Sequence, residues 1–187
     1  MLFVVGLTGL AGSGKSEVSK YLVKRYGFEK LVFSDILREE AKNRKLLNNE
    51  NYEQQKYILS KLGETLRKET GRWDILAVKL VNKIKDGNYD RVVVDGFRSA
   101  EEAKLFKNNF EKFHLVLIET DELVRFERRR KEDPKATLED MKTRDKRDIE
   151  ELGLGKVIKL ADSKVQNNDD IKTLHEKLDK IMENITG

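Results

Sequence analysis

Apolar positions fall into two rhythms along the chain. Five short runs, Leu2–Leu7, Lys30–Phe33, Arg91–Val94, His114–Ile118 and Ser163–Gln166, are dense in Val, Ile, Leu or Phe, as strands covered on both faces tend to be. Between them the apolar residues step by three and four. Lys15–Tyr26 carries Val18, Leu22 and Tyr26, and Tyr52–Thr70 carries Ile58, Leu59, Leu62 and Leu66. Asp74–Lys85 carries Leu76, Leu80, Val81 and Ile84. Ser99–Lys107, Asp121–Lys131, Thr137–Glu151 and Asp170–Asn184 complete the helical set. Strands alternating with helices predict parallel βαβ units with right-handed crossovers, and so an α/β fold: a three-layer α/β/α sandwich around a five-stranded parallel sheet. Ligands on such sheets sit at the carboxyl ends of the strands. Each polar residue that follows a strand is therefore a candidate for the site.

Composition narrows the class. The 187 residues suit one domain, and with no repeat or linker the whole of 1–187 reads as a single unit. Charged residues make up 39% and hydrophobic ones 38%, but the apolar segments recur too regularly for a disordered chain. The formal charge is only +4, with Lys and Glu interspersed, which gives no clear nucleic-acid surface. No cysteine is present, which excludes disulfides and thiolate metal sites and makes a reducing cytoplasm the simplest compartment. The apolar stretch Met1–Leu10 lacks a basic leader and is too short to span a bilayer, so no membrane association is expected.

One motif carries chemistry by itself. Gly9-Leu10-Ala11-Gly12-Ser13-Gly14-Lys15-Ser16 satisfies G-x-x-x-x-G-K-[S/T], between a strand that ends at Leu7 and a helix that begins near Lys15. Glycines let the backbone wrap an anion with its N–H groups inward, and the helix N-terminus adds partial positive charge. Lys15 is expected to reach the β- and γ-phosphates, Ser16 to ligate Mg²⁺, and Glu17 to lie beside the same nucleotide.

Two later strands end in acids. Lys30–Phe33 leads into Ser34-Asp35-Ile-Leu-Arg38, where Ser34 or Asp35 is a candidate helix cap. Asp35 is also expected at the carboxyl end of the strand beside the phosphate-loop strand. Arg38 lies one turn on, where a guanidinium can grip a phosphate. Arg91-Val-Val-Val-Asp95 has the form of a strand whose terminal aspartate holds Mg²⁺ directly or through water.

With these residues in place the chain resembles the P-loop nucleoside monophosphate kinase superfamily, including dephospho-CoA kinases and deoxynucleoside monophosphate kinases. The resemblance implies the strand order 2-3-1-4-5, acceptor-binding helices over about 34–85 and a short helical lid over about 125–147. It implies Arg38 as an acceptor-phosphate ligand and Asp35 as the proposed base of a dephospho-CoA kinase. Asp95-Gly-Phe-Arg98 is similar to the Asp-Gly-Phe-Pro-Arg element of adenylate kinases but has Arg98 where the proline stands. Arg98 and Arg67 are then further acceptor ligands. Trp73 either stacks on a base or anchors packing. Arg125, Arg128, Arg129, Arg144 and Arg147 look like lid arginines that close over the phosphates and neutralise charge. The other reading of this segment is a solvated surface laced with i,i+4 pairs such as Asp121–Arg125 and Asp140–Arg144. His114, at the start of a strand, and His175, on the last helix, need no catalytic explanation.

The implied activity is transfer of the γ-phosphoryl group of ATP, with Mg²⁺, to a small nucleotide-like acceptor, by a monomer or homodimer. Lys15, Asp35, Asp95 and Arg128 are the catalytic candidates. A (deoxy)nucleoside monophosphate is the first acceptor to consider. Dephospho-CoA is the second, and a nucleotide-gated binding protein or ATPase is the alternative outside kinases.

Overall fold

The computed structural model describes residues 2–48, 50–151 and 153–186. Its strands are β1 (Phe3–Thr8), β2 (Glu29–Val32), β3 (Arg91–Phe97), β4 (Lys112–Glu119) and β5 (Ser163–Gln166). All pair in parallel, in the order β2-β3-β1-β4-β5. The helices are α1 (Lys15–Tyr26), α2 (Phe33–Asn43), α3 (Tyr52–Thr70), α4 (Ile75–Asp86), α5 (Ala100–Asn109), α6 (Glu122–Glu132), α7 (Leu138–Glu150), α8 (Leu154–Ile158) and α9 (Ile171–Thr186).

The phosphate-loop strand lies at the centre of the sheet, and every residue of β1 is buried. Its side chains divide between the faces with the period of two that a strand imposes. Phe3, Val5 and Leu7 pack with Val18 and Leu22 of α1 and Leu174, Leu178 and Met182 of α9. Val4 faces the other way, into the layer built by α2, α3, α4, α5 and α8. There Phe97 meets Phe33 and Phe106 edge-on, with ring centroids 5.1 and 4.9 Å apart. Each fully buried chain of this kind contributes about 1.5–3 kcal/mol. The expected three-layer sandwich and strand order are both present.

Several local expectations need correction. The strand beside β1 that carries an acid is β3, because β2 lies one place further out at the sheet edge. β2 ends at Val32, and Phe33 already begins α2. Neither Ser34 nor Asp35 caps that helix, since its N-cap is Val32 with no side-chain bond. β3 runs past Asp95 to Phe97, with a bulge that pairs Leu7 with Asp95 but Thr8 with Phe97. His114 is the third residue of β4 and bonds Ser163 Oγ through Nε2 at 2.8 Å. Trp73 is 75% exposed, so it anchors no packing. The short helix α8 was not expected. Leu154 and Val157 bury it in the layer that holds α5.

Candidate active site

The loop between β1 and α1 adopts conformations that only glycine tolerates well. Gly14, the N-cap of α1, has φ 101°, and an added Cβ would run into the Asn167 amide. Gly9 has φ 141°, and its Cβ would strike the Ile118 carbonyl of β4. The loop is thus wedged between β4 and the segment after β5. Asn167 is buried and donates to Ser13 O at 2.8 Å, and Thr120 Oγ1 donates to the same carbonyl at 2.9 Å. Ser13 Oγ is buried with no hydrogen-bond partner among the described residues. A hydroxyl donor left over in a loop of inward amides suits an anion's oxygens.

Lys15 folds over this loop. Its Nζ donates to Gly9 O at 2.7 Å and Leu10 O at 3.0 Å. Burial lowers its pKa from 10.5 to about 8; Asp95 opposes the shift, Arg98 and Arg144 add to it, and Asp148 opposes it again. Charges from β3, the segment after it and α7 therefore all act on the lysine. Asp95 itself is 7% exposed, with Lys30 Nζ 3.8 Å from its Oδ2. Ser16 is exposed in the first turn of α1. Among the described residues no cluster of three His, Cys, Asp or Glu side chains could hold a metal ion. Ser16 and Asp95 suit Mg²⁺ that takes its other ligands from phosphate and water.

The acceptor-side arginines divide into two groups. Arg67 and Arg98 both act on Glu102, a buried carboxyl whose pKa burial raises and whose Oε2 accepts from the Arg98 and Ser99 N–H groups at 2.9 and 3.1 Å. Arg38 instead donates to Asp35 Oδ1 at 2.8 Å and Ser34 Oγ at 3.1 Å. That pair lines a pocket of about 260 Å³ with Lys42 and Lys83 over Leu31 and Leu80, on the β2 edge of the sheet. The charges of Asp95, Arg98 and Arg144 thus act on Lys15 and those of Arg67 and Arg98 on Glu102, while Asp35 and Arg38 line a pocket of their own.

The expected lid is a helical hairpin, α6–α7. Arg128 donates to Asn167 O at 2.9 Å, beside the loop after β5. Arg129 is half-buried on α6 and Arg147 is exposed on α7. Arg144 lies 4.0 Å from Asp148. Arg125 points inward and pairs with Asp145, in place of the expected Asp121–Arg125 pair. Asp140 bonds Thr137, the N-cap of α7, rather than Arg144. Glu17 lies 3.7 Å from His175 Nε2, on the α9 side of α1.

Sequence reasoning missed Lys30, Glu102, Thr120, Asp145 and Asp148. Two signals were present. Ser99-x-x-Glu102 is a capping box, and it forms. Met141, Asp145 and Asp148 share one helical face, and all three are buried, so the two carboxylates sit at core-facing positions.

The comparisons agree with this architecture. Residues 8–153 match the family model described as an AAA domain. A UPF0200 protein of Thermococcus kodakarensis is 35% identical over 190 residues, which cover 97% of each chain. In structure the chain is similar to TT1252 of Thermus thermophilus, with TM-score 0.68 and 15% identity over 100% of this chain and 99% of that one. It is also similar to a shikimate kinase of Bacteroides thetaiotaomicron, with TM-score 0.64 and 12% identity over the whole of both chains. At those identities the likeness is one of fold, the P-loop kinase fold. A central β1, the phosphate loop and this sheet order fit the AAA-domain match, and the near full-length relative completes the assignment: the chain belongs to the UPF0200 family, built on the P-loop kinase fold.

Proposed function

We propose that the chain is a phosphotransferase that moves the γ-phosphoryl group of ATP to a small anionic, nucleotide-like acceptor. The observation that carries this reading is the placement of Lys15. It is a half-buried ammonium folded onto the loop carbonyls, and the charges of Asp95, Arg98, Arg144 and Asp148 act on it. An isolated phosphate loop would suit any nucleotide-binding protein. Cations from two further elements converging on the lysine suit transfer, because phosphoryl transfer needs charge stabilised on the oxygens of the moving group. Fold neighbours include proteins named as kinases, which supports the same class.

The residues have distinct parts. The loop amides and the Ser13 hydroxyl hold phosphate oxygens. Lys15 turns from the Gly9 and Leu10 carbonyls toward the β- and γ-phosphates. Ser16 and Asp95 would hold Mg²⁺, which supplies charge neutralisation across the phosphates. Arg128 and Arg144 cover the transferring group from the hairpin. Arg67 and Arg98 take the acceptor's negative charge, with a (deoxy)nucleoside monophosphate as the first acceptor class. Asp35 and Arg38, in their separate pocket, are the remaining acceptor contacts, and a hydroxyl acceptor such as dephospho-CoA would draw on Asp35 as base.

Lys15→Ala is expected to lower acceptor-dependent ADP formation by a factor on the order of a thousand. Its melting temperature should be unchanged or higher, because a half-buried charge that is costly to desolvate is removed. Activity within about threefold of the unmodified chain would count against the reading, since so small a change leaves the lysine without a catalytic part.

A further inference from the structure

We infer that Arg125 is a positioning residue that fastens the α6–α7 hairpin to the phosphate loop through Asp145, and not a ligand of the triphosphate. The inference rests on the nucleotide-binding reading above and concerns how that site is assembled.

The Arg125 side chain is 4% exposed and that of Asp145 10%. Nη1 donates to Asp145 Oδ1 at 3.2 Å and Nη2 to Oδ2 at 2.6 Å, a two-pronged pair. Nη1 also donates to Ala11 O at 3.2 Å, and Nε donates to Thr120 O at 3.2 Å. Four of the five N–H groups of a guanidinium are thereby used. They join three places at once: the phosphate loop, the end of β4 and the second hairpin helix. The Arg125 Cβ lies 3.6 Å from where a Gly12 side chain would begin, so α6 rests directly on the loop.

Asp145 has the matching geometry on its own helix. It shares the buried face of α7 with Met141 and Asp148, next to Arg144. Fixing Asp145 therefore fixes the turn of α7 that carries Arg144 and Asp148, whose charges act on Lys15. Arg128, one turn on along α6, donates through Nη2 alone among the described residues and keeps Nε and Nη1 for a ligand. The two arginines of the same helix thus divide the work: Arg125 holds the hairpin, and Arg128 faces the nucleotide.

The test compares Arg125→Lys, Asp145→Asn and the double variant by calorimetric titration with MgATP, at a temperature where circular dichroism shows all of them folded. A role in stability alone would leave affinity unchanged there. If Arg125 works through Asp145, Asp145→Asn weakens MgATP binding by about tenfold, and the double variant falls no more than about threefold below the weaker single, as coupled partners do. If Arg125 grips phosphate, Asp145→Asn frees the guanidinium and leaves affinity unchanged or higher, and the Arg125→Lys loss persists undiminished on that background. That outcome overturns the inference and spares the nucleotide reading. Failure of the unmodified chain to bind MgATP removes the nucleotide reading, and the inference with it. Should a variant not fold, arginine Nε–H NMR on the unmodified chain decides. The Arg125 resonance should move little on MgATP addition while that of Arg128 moves, and a displacement at Arg125 matching that of Arg128 contradicts the assignment.

Discussion

Lys15 shows how one residue can be legible in identity and illegible in state. Its place in the motif followed from spacing alone, because the phosphate loop is local: eight consecutive residues specify both the turn and the lysine that follows. Its charge state depends on burial and on Asp95, Arg98, Arg144 and Asp148, which arrive from elsewhere in the chain. The consequence has a definite sign. With an ordinary value of 10.5 in the unfolded chain and about 8 in the folded one, the unfolded state holds more protons between those values. Folding stability attributable to this group therefore rises as pH climbs through that window. Nucleotide binding behaves oppositely, because the triphosphate needs the ammonium. MgATP affinity should fall above about pH 8, approaching tenfold per unit, while Lys15→Arg stays nearly flat, since arginine does not titrate there. Calorimetry in buffers of differing ionisation enthalpy would also register proton uptake on binding. A flat profile for the unmodified chain would mean that the lysine does not meet the phosphates. Asp145 and Asp148 were illegible for a related reason. A carboxylate in a charged helix reads as solvated unless its helical face is known, and for Asp145 the pairing with Arg125 of α6 supplies that face.

At the scale of elements, the sequence located the helices well and their junctions less well. α3 and α5 start where capping boxes form, Asn51 with Gln54 and Ser99 with Glu102, and these signals are local. α2 has no such cap, so the boundary after β2 moved by one residue and took Ser34 and Asp35 into the helix. α8 is held by burial of Leu154 and Val157, not by any propensity that five residues express. The loop before α1 is the element most exposed to a single change. Gly14→Ala forces a side chain onto the Asn167 amide at φ 101°. A left-handed alanine costs about 1–2 kcal/mol before that collision is counted. Thermal melting should register a loss of roughly 2–8 °C for a chain of this size. MgATP affinity should drop by about tenfold or more, since Asn167 can no longer hold the Ser13 carbonyl and the inward amides lose their aim. Unchanged melting and affinity would show that the loop has room the structure denies it.

For the molecule as a whole, the sheet order and the layers were legible because they follow from simple regularities. Strands without polar alternation must be covered on both faces, and parallel neighbours need helical crossovers. Val4 and Val5 of β1 pack into opposite layers, as that argument requires. The arrangement of the acceptor region was less legible, because it depends on which sheet position each strand takes. β2 at the edge carries Asp35 and Arg38 into a pocket with Lys42 and Lys83, while β3 beside β1 delivers Asp95 and Arg98 to Lys15. No helix among the described residues is long and apolar enough to cross a membrane. The most direct test of phosphoryl transfer is a coupled assay of ADP release from MgATP, run without acceptor and then with nucleoside monophosphates, their deoxy forms and dephospho-CoA. The account predicts that one acceptor class accelerates release by at least about a hundredfold over the acceptor-free rate, in keeping with a site that gains rate from orienting two substrates. Equal, slow release with every acceptor and with none would contradict it.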